Sequence, residues 1–147
     1  MEKNRKNLRD FSIIILALVA LSLIRSIVTV CINGFPQPTN IPEGMTKEIA
    51  KVITIITFAL SFVLLLPQIY LGVKGIKIAN GSSTSGKAHI IWALILIVFS
   101  AITVISSISD LTKAFNLDSV LNLLGPVVDL ALFAFYYIYA RKVANDK

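Results

Sequence analysis

Residues 11–32 read FSIIILALVALSLIRSIVTVCI, an apolar run whose single charged side chain is Arg25. At about 1.5 Å rise per residue, a helix of this length crosses the roughly 30 Å hydrocarbon core of a bilayer. A guanidinium at that depth needs a partner, and the last apolar run of the chain supplies one candidate, Asp129. Lys3, Arg5, Lys6 and Arg9 precede the run much as the charged region of a signal peptide would. The run exceeds the usual signal-peptide core of about 7–15 residues, contains Arg25 and has no small-residue cleavage pattern after it, so it reads as a retained first span.

Outward from this stretch the same pattern recurs. Of 147 residues 56% are hydrophobic and 15% charged, and the mean hydropathy is +0.81, outside the usual range for soluble domains. Four spans are expected, at 11–32, 49–73, 88–109 and 120–141. A loop at 74–87 lies on one side, and loops at 33–48 and 110–119 on the other. Asn33-Gly34 with Pro36 and Pro38 stops the first helix, and Pro67 kinks the second. Gly72, Gly75 and the pair Gly125-Pro126 are expected to interrupt regular helix. The fold class is thus an all-α integral membrane protein, one domain of four transmembrane helices in an up-down antiparallel bundle.

Lys and Arg set the orientation, because loops retained in the cytoplasm keep positive charge. Ten of the fourteen lie on one side: Lys3, Arg5, Lys6, Arg9, Lys74, Lys77, Lys87, Arg141, Lys142 and Lys147. Lys47, Lys51 and Lys113 lie on the other, which puts both termini in the cytoplasm, with a bacterial plasma membrane as the expected host. Tyr70, Trp92, Tyr136, Tyr137 and Tyr139 fall near the inner boundary, where amphipathic rings gather. The formal charge of +6 resides in these flanks, which argues against nucleic acid as a partner.

Depth arithmetic brings Arg25 and Asp129 together. Arg25 lies roughly 12 Å and Asp129 roughly 14 Å below the same outer surface, so a pair between neighbouring first and fourth spans is expected. A ligand-binding or ion-pathway role, or an Arg25 that snorkels outward, are the alternatives. Polar stripes share this outer half: Ser22, Arg25, Ser26 and Thr29; Thr54, Thr57 and Ser61; Ser100, Thr103, Ser107 and Asp110; Asn122 and Asp129. If they converge they form a polar cup, open to the outside and plugged toward the cytoplasm. Ser and Thr also bond to carbonyls of their own helix, which is the plainer account of each stripe. Pro67, Gln68, Gly125 and Pro126 are candidate kink or gate residues.

Catalysis has little to work with. His89 is the only histidine and Cys31 the only cysteine, which excludes an intrachain disulfide and leaves no metal-ligand spacing. The Gly/Ser-rich loop before Lys87 lacks the spacing and preceding strand of a phosphate loop. No cofactor is expected. The small multidrug transporters are similar in length and span number, but their first span carries an essential glutamate where this one carries Arg25, and the resemblance ends there. The expected function is a non-enzymatic accessory, immunity or assembly subunit that binds a protein or peptide partner, or a further copy of itself, in the lipid bilayer. A small-solute or ion channel or carrier using Arg25 and Asp129 is the alternative, and a lipid-active enzyme the least favoured.

Overall fold

The computed structural model describes residues 2–38, 41, 44–82, 86–113 and 117–145, with the side chains of residues 110, 113, 118 and 121 outside that description. All regular structure among the described residues is helical: α1 (Glu2–Asn33), α2 (Lys47–Val63), α3 (Leu65–Ala79), α4 (Ala88–Lys113) and α5 (Leu117–Asn145). Four stretches, Glu2–Asn33, Lys47–Ala79, Ala88–Ser109 and Asn122–Asn145, are long and apolar enough to cross a membrane. Exposure is inverted relative to a soluble domain: Leu21, Ile24, Ile32, Ile56, Ile102 and Ile105 all point outward, as expected where the solvent is acyl chain.

Local chemistry accounts for each helix end. α1 has no interior Gly or Pro and runs 32 residues, about 48 Å, so its first turns extend beyond the apolar run. It stops at Gly34, whose φ of 74° suits a residue without Cβ and whose N–H donates to the Val30 carbonyl at 2.9 Å. α2 opens on Thr46, whose Oγ1 accepts from the Ile49 N–H at 3.4 Å. α3 closes on Gly81, φ 75°. There the Gly81 N–H reaches the Ile78 carbonyl at 3.1 Å and the Ser82 N–H reaches that of Lys77 at 2.9 Å, a Schellman turn.

The second span is two helices. Pro67 has no N–H for the Val63 carbonyl and its ring crowds that carbonyl, and the helix breaks at Leu64, between the two positions. The interruption is confined to Leu64, three residues before Pro67, where the backbone stays right-handed helical (φ −69°, ψ −15°) and the N–H still donates to the Leu60 carbonyl at 3.1 Å; helix continues past the expected boundary at 73 to Ala79. Pro126 behaves differently. It lies inside an uninterrupted α5, so the expected break at Gly125-Pro126 does not occur. α5 has its most extensive packing with α4, and a neighbouring helix holds the register across one lost bond. The described helices also outrun the expected limits at 11, 109, 120 and 141.

Packing closes a ring in which α1 meets α3 and α5, and α4 meets α3 and α5. The core lies at one end, built from Leu8, Ile15, Leu71, Ile78, Ala93, Leu96, Phe133, Tyr136, Ala140 and Val143. Gly72 and Gly75 do not interrupt α3. They allow it to lie against α1, since a Cβ at Gly72 would strike Leu16 and one at Gly75 would strike Ser12 Oγ and Tyr136 Cε2. Phe11 joins α1 to α5 by stacking on Phe135 and Tyr139, with centroids 5.2 and 5.6 Å apart. Opposite this packed end the molecule is open: α2 rests on little but α3, its own continuation, with Ala50 its one buried residue and Phe58 set edge-on to Phe35.

Tyr136, one of the rings expected near the inner boundary, packs against other helices, fully buried in the core. Its neighbour His89, also fully buried, stands edge-on with ring centroids 6.3 Å apart. Trp92 and Tyr70 stay exposed.

Candidate functional site

A cleft of about 190 Å³ opens between the α2/α3 break, α4 and α5. Leu64 and Gln68 line it from the break, Leu96, Phe99, Ser100 and Thr103 from α4, and Pro126, Asp129 and Phe133 from α5. Spacing explains the polar wall: Ser100 and Thr103 are three residues apart, as are Pro126 and Asp129, so each pair shares one helix face. Leu96 and Phe133 belong to the buried core, so the floor of the cleft is the packed end of the molecule. Thr103 Oγ1 also donates to the Phe99 carbonyl at 2.9 Å, which leaves its lone pairs as acceptors toward the cleft.

Arg25 is not there. Its side chain is exposed on α1 while Asp129 is half-buried in the cleft. An ion pair joins Arg9 to Asp10 at 3.6 Å; the expected Arg25–Asp129 pair is not made. The expectation rested on depth along two helices alone, and Arg25, exposed on α1, is not among the residues that line the cleft. Contact between α1 and α5 is made by Phe11 with Phe135 and Tyr139, far down α1 from Arg25.

The other polar stripes divide in the same way. Ser22 and Thr29 are exposed with Arg25 on α1, and Thr57 and Ser61 are exposed on α2. Ser61 Oγ donates to the Phe58 carbonyl at 2.6 Å and Thr54 Oγ1 to that of Ala50 at 2.9 Å, so these hydroxyls serve their own helix. Ser107 is half-buried further along α4, and the side chain of Asp110 lies outside the described residues. Of the proposed gate residues, Gln68 and Pro126 line the cleft. Pro67 instead lines a separate apolar groove with Val63, Leu66, Tyr70 and Trp92. Gly125 is exposed, with open space where a Cβ would stand.

The structure thus draws together Gln68, Ser100, Thr103, Pro126 and Asp129. Sequence reasoning missed the apolar half of the lining, because Leu96, Phe99 and Phe133 resemble every other apolar residue on their helices. It also missed a buried polar group below: Ser12, His89 and Tyr136 are fully buried. Ser12 Oγ donates to the Leu8 carbonyl at 2.6 Å, whereas neither His89 ring nitrogen nor Tyr136 Oη meets a partner in hydrogen-bond geometry.

Chemically, the cleft offers one carboxyl, one carboxamide and two hydroxyls over an apolar floor. Its volume lies below the roughly 300–1,000 Å³ of sites for drug-sized molecules; it suits a side-chain head group, an ion or water. Among the described residues no three of His, Cys, Asp and Glu gather in one place. No protein-family model, curated protein or solved structure matches the chain, so its chemistry is read from this geometry alone.

Proposed function

We propose that this chain is a non-enzymatic subunit of a membrane complex, in the accessory, immunity or assembly sense, that receives a transmembrane segment of a protein partner at its open end. The observation that carries the reading is Asp129, an intramembrane acid in a cleft with no basic side chain among its described lining residues. Such a group is costly in lipid and favours any arrangement that brings it a donor. A basic or hydrogen-bonding side chain on a partner helix supplies that donor, and a second copy of this chain carries one in its exposed Arg25. The four spans alternate in direction through the cell membrane, with the packed end and both termini cytoplasmic, as the distribution of Lys and Arg favours.

Two experiments test this. Extraction in a mild detergent followed by mass spectrometry is expected to recover a stoichiometric partner or a homo-oligomer, and Asp129→Asn to release it. Recovery of wild-type monomer alone, time after time, counts against the proposal. Orientation is tested at Cys31, the only thiol, which is exposed near the end of α1. A membrane-impermeant maleimide added to intact cells should label it, and labelling only after lysis would reverse the assignment.

Carrier activity at the same cleft is the second reading, favoured by Leu64 and Gln68, which place the α2/α3 break in its wall. Swinging α2 about that break would widen the cleft. Unchanged solute or proton flux in liposomes bearing Asp129→Asn would eliminate this reading.

A further inference from the structure

A second concavity lies at the packed end, away from the Asp129 cleft. Residues 2–9 of α1 and the end of α3 border an open concavity of about 600 Å³, lined by Lys3, Arg5, Lys6 and Arg9 with Asn80, and with Glu2 the one acid among the described lining residues. We propose that this basic pocket binds the phosphodiester headgroup of an anionic membrane lipid.

Helical spacing puts the four cations on one side of α1. Lys3 and Lys6 are three residues apart and Arg5 and Arg9 four, so both pairs are neighbours along the helix surface. The Schellman turn at Gly81 then brings the end of α3 beside them. Arg5 is half-buried, and its Nη1 lies 3.8 Å from the point where a Cβ on Gly81 would stand. Arg9 pairs with Asp10 at 3.6 Å and Glu2 is the one acid among the described lining residues, so positive charge is in excess there. An excess of one sign of charge lining a single concavity favours a bound anion.

Position selects the occupant. Arg9 is two residues, about 3 Å, before the apolar run that opens at Phe11, which places the pocket at headgroup level for a membrane-crossing α1. Basic clusters at that level bind anionic lipid, and a phosphodiester accepts from both guanidinium and ammonium donors. Asn80 adds a carboxamide, a donor suited to a phosphate oxygen or a headgroup hydroxyl.

The test uses the full chain, purified in a non-ionic detergent and titrated with phosphatidylglycerol or phosphatidylcholine under native mass spectrometry. The wild type is expected to retain one phosphatidylglycerol at least about tenfold more tightly than phosphatidylcholine, with the preference shrinking as salt rises. Combined Lys3→Gln, Arg5→Gln, Lys6→Gln and Arg9→Gln should abolish the preference. The same number of charges removed elsewhere at this end, by Lys77→Gln, Lys87→Gln, Arg141→Gln and Lys142→Gln, should leave it intact. Should the first variant misfold, Arg5→Lys with Arg9→Lys keeps the charge and is expected to keep the preference, and the wild-type salt series decides on its own. No preference in the wild type, a salt-insensitive one, or equal loss in both quadruple variants would overturn the proposal. Full displacement by inorganic phosphate would reassign the pocket to a soluble anion and overturn the lipid assignment.

Discussion

Single atoms decide much of this protein's packing. Gly75 faces Ser12 and Tyr136 so closely that a methyl group has no room, while Gly125 faces open space. Gly75→Ala is therefore expected to destabilise by about 1–3 kcal/mol through overpacking. Gly125→Ala meets no neighbouring element, but its Cβ would adjoin the Pro126 ring, which disfavours helical backbone at the residue before it, so its effect should stay within about 0.5 kcal/mol of neutral. Thermal unfolding in detergent, followed by fluorescence of Trp92, the only tryptophan, separates the two; equal effects would contradict the packing described. Tyr136 allows a sharper test. Its hydroxyl is sealed in the core with no hydrogen-bond partner, so Tyr136→Phe removes a desolvated polar group and should leave the protein at least as stable. A loss of more than about 1 kcal/mol would mean that an internal water holds that hydroxyl. Neither glycine's role was legible in sequence, where both read as helix interruptions. Small residues at a close helix contact and small residues facing nothing look alike until the neighbour is known.

Apolar runs announce the spans, because a helix surrounded by acyl chains must be apolar on every turn. For the same reason sequence periodicity does not separate the face turned to lipid from the face turned to a neighbour: Leu96 is buried and Val98 exposed, yet both are simply apolar. Polarity was the remaining guide, and of the residues it singled out the structure brings Ser100, Thr103 and Asp129 to one cleft and leaves Ser22, Arg25 and Thr29 exposed on α1. Prolines read ambiguously as well. Pro67 splits its span and Pro126 does not, although each sits in an apolar context; the difference is that α5 lies along α4 whereas α2 lacks such support. Pro67→Ala restores the donor to the Val63 carbonyl and removes the clash, so α2 and α3 are expected to fuse. Hydrogen exchange by mass spectrometry should then show the amides of residues 64–67 slowed relative to the wild type. Unchanged exchange there would place the cause of the break elsewhere.

Across the whole molecule, order is unevenly distributed. Core residues of α1, α3, α4 and α5 meet at one end; toward the other, α4 and α5 remain packed together, while α2, among the described residues, touches little beyond α3 and the contact of Phe58 with Phe35. Amides of α2 are expected to exchange faster than those of α3, since opening α2 uncovers almost no buried surface. Reversed rates would signal contacts at the open end that the free chain lacks. With its four apolar helices across a bilayer, a body whose core lies at one end and whose α2 is exposed at the other would meet the two leaflets unequally. Lateral pressure in one leaflet bears on a compact cross-section and in the other on a deformable one. Changes in acyl-chain crowding or membrane curvature would therefore act mainly on α2 and the mouth of the Asp129 cleft, leaving the opposite half undisturbed.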